Sequence, residues 1–363
     1  MSRRRRDRSK STWAKLLNRF LRRSAVEQLE PRILFDATPT GAQPIWVGGV
    51  YVEEDSGTDA HGDSFYVTFS GGAAGTKLNK LVLRTDQGAS GYSAGDNLFD
   101  TKEQGRGADH AFPFHIESLK TRDPNARVTA QVDDGSMQMV LTFENFYAGD
   151  SLHFSIDVDE VQHLYSLDDI AKFNDGLDPI TSGAEFEGSA LQAEFSAPNY
   201  EDASASGSFL NRYDAILAQA TQSGNGLDLP ADNANGQRDR TAGAAATTMQ
   251  KWIPASIGGR VYLDNNDNGQ QDKNEKGLPG VSIELTSIDT ITGDAIQKIA
   301  LTTSDGSYLF DGIPPGHYRV REVQPIGYFD GQDSVGRVGA TSRGTLDAND
   351  SITDILLNGG DVG

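Results

Sequence analysis

The chain has 363 residues, a length typical of two or three domains, and 37% of them are hydrophobic, enough for each domain to bury a core. It contains no cysteine, which excludes disulfides, thiolate zinc sites and thiol nucleophiles. Residues 1–35 carry 11 Lys and Arg against 3 Asp and Glu, a net charge of +8, so the remaining 328 residues carry −28. Such an acidic body repels nucleic acid and attracts divalent cations.

The first segment, residues 1–37, is a basic leader. It combines Arg3–Arg6 with apolar residues at helical spacing, among them Trp13, Leu16 and Phe20. Charged residues interrupt the apolar stretch of about seven residues that an ordinary signal peptide needs. The leader is therefore either a partly helical segment that makes transient contact with an anionic membrane surface or a disordered one. No run approaches about 18 consecutive apolar residues, so we expect no transmembrane helix.

The leader ends with the order Leu-Glu-Pro-Arg-Ile-Leu-Phe-Asp-Ala, residues 29–37. Pro31 terminates any helix that the leader forms. The segment resembles the LEPR-type motif near the N-terminus of large exported bacterial surface proteins, where a basic leader precedes the same order. The resemblance implies export to the cell surface or the medium.

Residues 38–44 form a linker by composition, and from Ile45 onward the pattern is that of β-structure. Apolar and polar residues alternate in short runs separated by Gly, Asp and Asn, at residues 64–69, 80–84, 137–143, 151–158 and 190–195. A period of two predicts strands with one solvent-facing side. We expect an antiparallel β-sandwich over residues 45–222, with a ligand that the sequence does not define. Residues 223–250 are rich in Gly, Ala, Asn, Asp and Thr, which predicts a flexible linker.

The sharpest chemical signal is the twelve-residue segment from Asp264 to Glu275, which fits the calcium-loop template D-x-[DN]-x-[DN]-G-x5-E at every specified position. Calcium takes about six to eight oxygen ligands, and this spacing supplies them. The candidate ligands are the side chains of Asp264, Asn266 and Asn268, the carbonyl of Gln270, Asp272 directly or through water, and a bidentate Glu275. Gly269 permits the sharp turn. The alternative interpretation is a solvated acidic turn without metal.

The loop's flanks are typical of strands and not of the helices of an EF-hand. Several segments carry a specific pattern: Val-Tyr-x-Asp-x-Asn-x-Asn-Gly within residues 258–281, Ser304–Phe310, Pro315-Gly316-x-Tyr318 and Glu322-x-x-Pro325-x-Gly327-Tyr328. This pattern resembles the B domain of serine-aspartate-repeat surface proteins, a Cna B-type, prealbumin-like sandwich of bacterial adhesins. The resemblance implies a calcium-binding spacer or stalk module over residues 251–363. Family domains run on past a segment like Ile352–Gly360 into a closing strand, so we expect the module to be incomplete at its C-terminus.

Some Cna B-type domains close a Lys–Asn isopeptide bond beside a carboxylic acid. The first strand here carries Arg260 in place of lysine, and a guanidinium that never deprotonates cannot be the amine nucleophile. Glu322 and Asn358 remain, but without the amine we expect no isopeptide bond.

Nothing in the sequence predicts an enzyme, since it has no His-Glu-x-x-His, no phosphate loop and no nucleophile elbow. The pairs Asp157/Asp159 and Glu185/Glu187 occur at a spacing of two, which in a strand places each pair on one face. In so acidic a body, a solvated face is the simplest interpretation. The alternatives are a glycosidase pair or a second calcium site.

The sequence therefore predicts an all-β chain of two antiparallel β-sandwiches joined by a flexible linker. We expect a non-enzymatic, exported bacterial cell-surface protein with a structural or adhesive role. Its expected partners are calcium and surface ligands such as extracellular polysaccharide or molecules on host or neighbouring cells. The alternative is that residues 45–222 are a carbohydrate-binding or polysaccharide-acting domain displayed on a B-type spacer.

Overall fold

The computed structural model describes residues 43–53, 61–87, 92–108, 110–162, 176–178, 181, 183–210, 240–290, 293, 295–348 and 350–363. Every regular element in these ranges is a β-strand, so the prediction of an all-β chain is confirmed. The same ranges contain no helix with the length and apolarity that a membrane crossing requires. The leader, its LEPR-type motif and residues 211–239 of the predicted first domain and linker lie outside the described residues.

The first sandwich is built from strands whose apolar residues alternate with polar ones. Its strands are β1 (Gln43–Val52), β2 (Asp63–Gly71), β3 (Lys77–Arg84), β4 (Asn97–Asp100), β5 (His115–Lys120), β6 (Arg127–Val132), β7 (Gln138–Tyr147), β8 (Ser151–Val161), β9 (Leu177–Asp178), β10 (Ala190–Ser196), β11 (Ala203–Ser208) and β12 (Thr241–Gln250). The five alternating runs identified in the sequence coincide with β2, β3, β7, β8 and β10.

These strands form two antiparallel sheets. One has the order β12-β1-β2-β8-β4, with β5 and β9 also paired to β8, and the other has the order β11-β10-β3-β7-β6. In β10 the side chains of Leu191, Ala193 and Phe195 are buried while the residues between them are exposed. The sheets pack on a shared aromatic core, in which Phe65 and Phe154 stack with ring centroids 4.9 Å apart.

The predicted linker of residues 223–250 is wrong for its last ten residues, which form β12. This strand pairs with β1 along its whole length, from Thr241 opposite Val52 to Gln250 opposite Gln43. Its small side chains fit the core, because Ala242, Ala244 and Ala246 are at most 5% exposed. These small residues bury little apolar area by themselves. Pairing with β1, which is distant in sequence, holds them in the sheet as a strand. The linker predicted at 38–44 likewise ends early, since β1 begins at Gln43.

The second sandwich starts at Ala255. Its strands are β13 (Ala255–Arg260), β14 (Ser282–Thr290), β15 (Gln297–Leu301), β16 (Ser307–Ile313), β17 (Gly316–Val323), β18 (Arg337–Val338), β19 (Thr341–Ser342), β20 (Thr345–Ala348) and β21 (Ser351–Leu357). One sheet pairs β13 with β16 and the larger one has the order β15-β14-β17-β21-β20, while β18 and β19 form a short hairpin. Their common core includes Leu285, Phe310, Tyr318 and Leu357.

Candidate metal site

The predicted calcium loop joins β13 to β14, and backbone hydrogen bonds close its base. Leu263 donates its N–H to the carbonyl of Lys276 at 2.9 Å, and Leu278 donates to Val261 at 2.8 Å. Because these bonds hold the two ends of the loop side by side, residues 264–275 must turn back on themselves. The prediction that the loop joins strands and not helices is confirmed.

Asp264 organises the first half of the loop. Its carboxylate accepts backbone N–H groups from Gly269 at 2.7 Å and from Asn266 and Asn268 at 3.2 Å each. The hydrogen bond from Gly269 is the main reason that the pKa of this carboxyl is lowered. Gly269 has φ of +69°, a left-handed conformation that glycine adopts without a side-chain clash. The sharp turn predicted at this position is therefore present.

Asp272 connects the second half of the loop to the first. Its Oδ2 accepts the side-chain amides of Asn266 at 2.8 Å and of Asn268 at 3.1 Å. The side-chain oxygen of Asn268 in turn accepts the backbone N–H of Gln270 at 2.8 Å. Together with Asp264, five of the six predicted ligand residues are thus brought into one hydrogen-bonded network.

Glu275 closes the loop from its buried end, where the residue is 8% exposed. Its Oε1 accepts the N–H of Asn265 at 2.8 Å and its Oε2 accepts the N–H of Asp272 at 2.9 Å. The carboxylate therefore points into the loop with both oxygens fixed. The acidic character of this region also acts on Tyr262, whose pKa is raised first by burial and then by the charges of the loop carboxylates.

The donor set of the loop fits calcium. Calcium prefers carboxylate and carbonyl oxygens in an irregular shell, and all six predicted ligand residues offer them. Each oxygen of Glu275 has a second lone pair, so its bond to a backbone N–H leaves room for a cation. Asp264, Asn266, Asn268, Gln270, Asp272 and Glu275 would hold the ion.

A second group of carboxylates lies in the first sandwich, where Asp100, Asp157 and Asp159 place oxygens within 4.8 Å of one another. The prediction of a solvated face for the Asp157/Asp159 pair is wrong, because these two residues are 2% and 0% exposed. The backbone beyond β4 covers them, with the N–H of Ala108 donating to Asp159 at 3.0 Å. A glycosidase acid must reach its substrate, which this burial disfavours.

Asp100 joins this group by strand pairing and not by sequence spacing, since it lies directly opposite Asp157 on β4 and β8. Burial raises its pKa to about 6, and the nearby charges of Asp134 and Glu103 add to the effect. The predicted position of the second acidic pair is also wrong, because Glu185 and Glu187 lie in a turn and not on one face of a strand.

Glu322 is the carboxylic acid that would accompany an isopeptide bond if the lysine were present, and it lies on β17 of the second sandwich. Burial raises its pKa to about 7, and the charges of Asp350, Asp333 and Asp330 contribute in the same direction. Arg260, in contrast, is directed to the surface, where it forms an ion pair with Asp305 at 3.1 Å. Glu322 is therefore a carboxyl that takes up a proton at a higher pH than an ordinary glutamate does.

This raised pKa predicts how the stability of the module depends on pH. Because the folded pKa is about 7 against an ordinary 4.5, the stabilising contribution of Glu322 is full below about pH 4.5 and is lost as the pH rises through about 7. We expect Glu322→Gln to reduce the loss of unfolding free energy between about pH 5 and pH 8, as measured by denaturant titration. Glu284→Gln, which alters a surface ion pair with Arg321, is the matched control. If the unfolding free energy of Glu322→Gln depends on pH as that of the unchanged chain does, the raised pKa of Glu322 is contradicted.

The strands and the core define residues 255–363 as a small β-sandwich module with an acidic, hydrogen-bonded loop between β13 and β14. Comparison with known proteins identifies the module more closely, because residues 255–360 match the family model of the SdrD B-like domain. The prediction of a serine-aspartate-repeat B domain is confirmed for these residues.

Among curated proteins, the serine-aspartate repeat-containing protein D of Staphylococcus aureus (strain Newman) is 34% identical over 98 residues, which cover 27% of this chain and 7% of that protein. Colossin-B of Dictyostelium discoideum is 35% identical over 105 residues, covering 29% and 3%. The chain thus spans only a small part of the length of the relatives it matches. The similarity to each of them has about the length of one module.

Solved structures that align with the chain include two pilins. The major pilin subunit BcpA of Bacillus cereus has 10% identity and a TM-score of 0.21, with 83% of this chain and 62% of the pilin covered. The group B streptococcus pilus 2b backbone protein has 11% identity and a TM-score of 0.20, with 83% and 93% covered.

Proposed function

We propose that this chain is part of an exported, extracellular structural protein, in which the B-type module is a spacer stiffened by calcium. The observation that carries the proposal is the loop at residues 264–275, where an acidic side chain from each end, Asp264 and Glu275, is already fixed toward the interior by backbone N–H groups. Support comes from the match of the module to the SdrD B-like family.

The proposed role is structural and not catalytic. A module of this kind separates or presents neighbouring domains, and a bound ion that crosslinks the loop resists bending of the β13–β14 connection. Calcium sites in extracellular modules have dissociation constants of about 10⁻⁴ to 10⁻³ M, which suits the millimolar calcium found outside cells. The proposal therefore places the stiffened form of the module outside the cell.

The expected gain in stability from calcium follows from its dissociation constant and its free concentration. At a dissociation constant of about 10⁻⁴ M and about 1 mM free calcium, binding adds about 1.4 kcal/mol to the free energy of unfolding. For a module of this length we expect the midpoint of thermal unfolding to rise by about 6 °C when calcium replaces a chelator. Circular dichroism melting of the full chain checks this result.

Magnesium at the same concentration is the matched control for the melting experiment. It demands a near-octahedral shell and gives up its waters reluctantly, so it should raise the midpoint less than calcium does. Equal midpoints in calcium and in chelator would contradict the proposed role of the loop. Equal shifts with both ions would show only a general response to divalent charge.

A further inference from the structure

The two sandwiches are connected by residues 251–254, between β12 and β13. This connector is paired with a turn of the first sandwich, because Tyr200 and Trp252 form an isolated antiparallel bridge. Two backbone hydrogen bonds flank the bridge, from Glu201 to the carbonyl of Lys251 at 2.8 Å and from Ile253 to the carbonyl of Asn199 at 2.9 Å. The connector therefore lies along the first sandwich, held there by a single antiparallel bridge.

The second sandwich reaches the same turn from its C-terminal side. The N–H of Gly359, which follows β21, donates to the side-chain Oδ1 of Asn199 at 2.8 Å. The next N–H, that of Gly360, donates to the carbonyl of Pro254 in the connector at 3.1 Å. Asn199 thus binds the connector through its backbone carbonyl and the module through its side chain.

The residue types at this contact suit their positions. Asn199 has φ of +68°, in the left-handed region where asparagine is among the most frequent residues after glycine. A Cβ on Gly359 would lie 2.9 Å from the Cβ of Ile253 and 3.0 Å from the Cα and carbonyl oxygen of Asn199. Only glycine permits so close an approach of the two sandwiches.

We propose that these contacts form a rigid joint, in which Asn199 holds the first sandwich, the connector and the module in one fixed orientation. A free four-residue connector would leave the module to reorient, whereas this connector has its backbone bonded on both sides. The joint does not involve the calcium loop, so it can hold or fail independently of the proposed calcium role.

The absence of native cysteine allows the joint to be tested by pulsed electron paramagnetic resonance on the full chain. Spin labels are attached to cysteines introduced at Thr129 on β6 and at Gln297 on β15, both exposed and one in each sandwich. The distribution of distances between the labels reports how far the two sandwiches reorient. We expect a single narrow distribution for the otherwise unchanged chain, in calcium and in chelator alike.

Substitutions at Asn199 and Gly359 distinguish the loss of the joint's contacts from the general effects of substitution. Asn199→Gly keeps the left-handed backbone but removes the acceptor of the Gly359 N–H, and Gly359→Ala pushes the two sides apart. Both should broaden the distribution, whereas Asn199→Asp retains the acceptor oxygen and should leave it narrow. Gly331→Ala, where a Cβ meets nothing within 4 Å, is the control for the glycine substitution.

Two results would contradict the proposal of a rigid joint. One is a broad distribution in the unchanged chain, and the other is a distribution that stays narrow in both Asn199→Gly and Gly359→Ala. Circular dichroism of each labelled variant confirms that both sandwiches remain folded, so that broadening reports reorientation and not unfolding.

Discussion

Replacing Leu285 with alanine is expected to lower the free energy of unfolding of the module by about 2–5 kcal/mol. Leu285 is 0% exposed on β14, between Lys298 of β15 and Val320 of β17, and it belongs to the core that the two sheets share. Removing its side chain takes away apolar contacts and leaves a cavity that packed sheets fill poorly. Denaturant unfolding of the full chain, followed by circular dichroism, measures the loss.

Leu301→Ala is the matched control for this prediction. Leu301 lies on β15 in the same sheet, but it is 65% exposed. A surface truncation of this kind changes stability by about 0.5 kcal/mol or less. Equal losses in the two variants would show that the core does not lie between these sheets.

Replacing Glu275 with alanine is expected to have two separable effects on the module. Without metal it removes the carboxylate that accepts the N–H groups of Asn265 and Asp272, and because both of these residues are exposed and water can take its place, the loss should be about 0.5–1.5 kcal/mol. With calcium it should also abolish the additional stabilisation, because the bidentate ligand of the loop is gone. Melting of the variant in chelator and in calcium distinguishes the two effects.

Glu284→Ala serves as the control for the Glu275 variant. It removes a carboxylate of the same module whose ion pair with Arg321, at 2.7 Å, lies at the surface. Such a surface pair contributes about 0–1 kcal/mol, and its loss should leave the calcium response unchanged. A calcium response that persists in Glu275→Ala would contradict the assignment of the loop.

The sequence was sufficient to predict the strands whose two faces differ in polarity. In β10, for example, Leu191, Ala193 and Phe195 face the core and Glu194 faces solvent, so a period of two is visible without any knowledge of the partners. The position and turn of the candidate calcium loop could also be predicted, because its residues lie within twelve consecutive positions and its hydrogen bonds are local.

Features that depend on distant partners could not be predicted. The alanine-rich strand β12 resembles a linker in composition, and it becomes a strand because β1 pairs with it along ten residues. The common face of Asp157 and Asp159 follows from their spacing, but their burial does not. It depends on Asp100 and the backbone near Ala108, which come from an earlier part of the chain.

The joint at Asn199 has no sequence signal for the same reason. Its partners, Ile253 and Gly359, are brought together only when both sandwiches have formed. An asparagine before a tyrosine in a loop and a glycine near a chain end are common in any sequence. Only their contact in the folded chain gives them a distinct role.

A calorimetric titration of calcium into the full chain, beside Asp264→Ala, Glu275→Ala and Glu284→Ala, tests the proposed calcium site most directly. We expect saturable binding with a dissociation constant of about 10⁻⁴ to 10⁻³ M in the unchanged chain. Asp264→Ala and Glu275→Ala should each remove the binding at the loop, while Glu284→Ala should retain it. No binding up to several millimolar calcium in the folded chain, or equal binding in all four proteins, would contradict the proposed site.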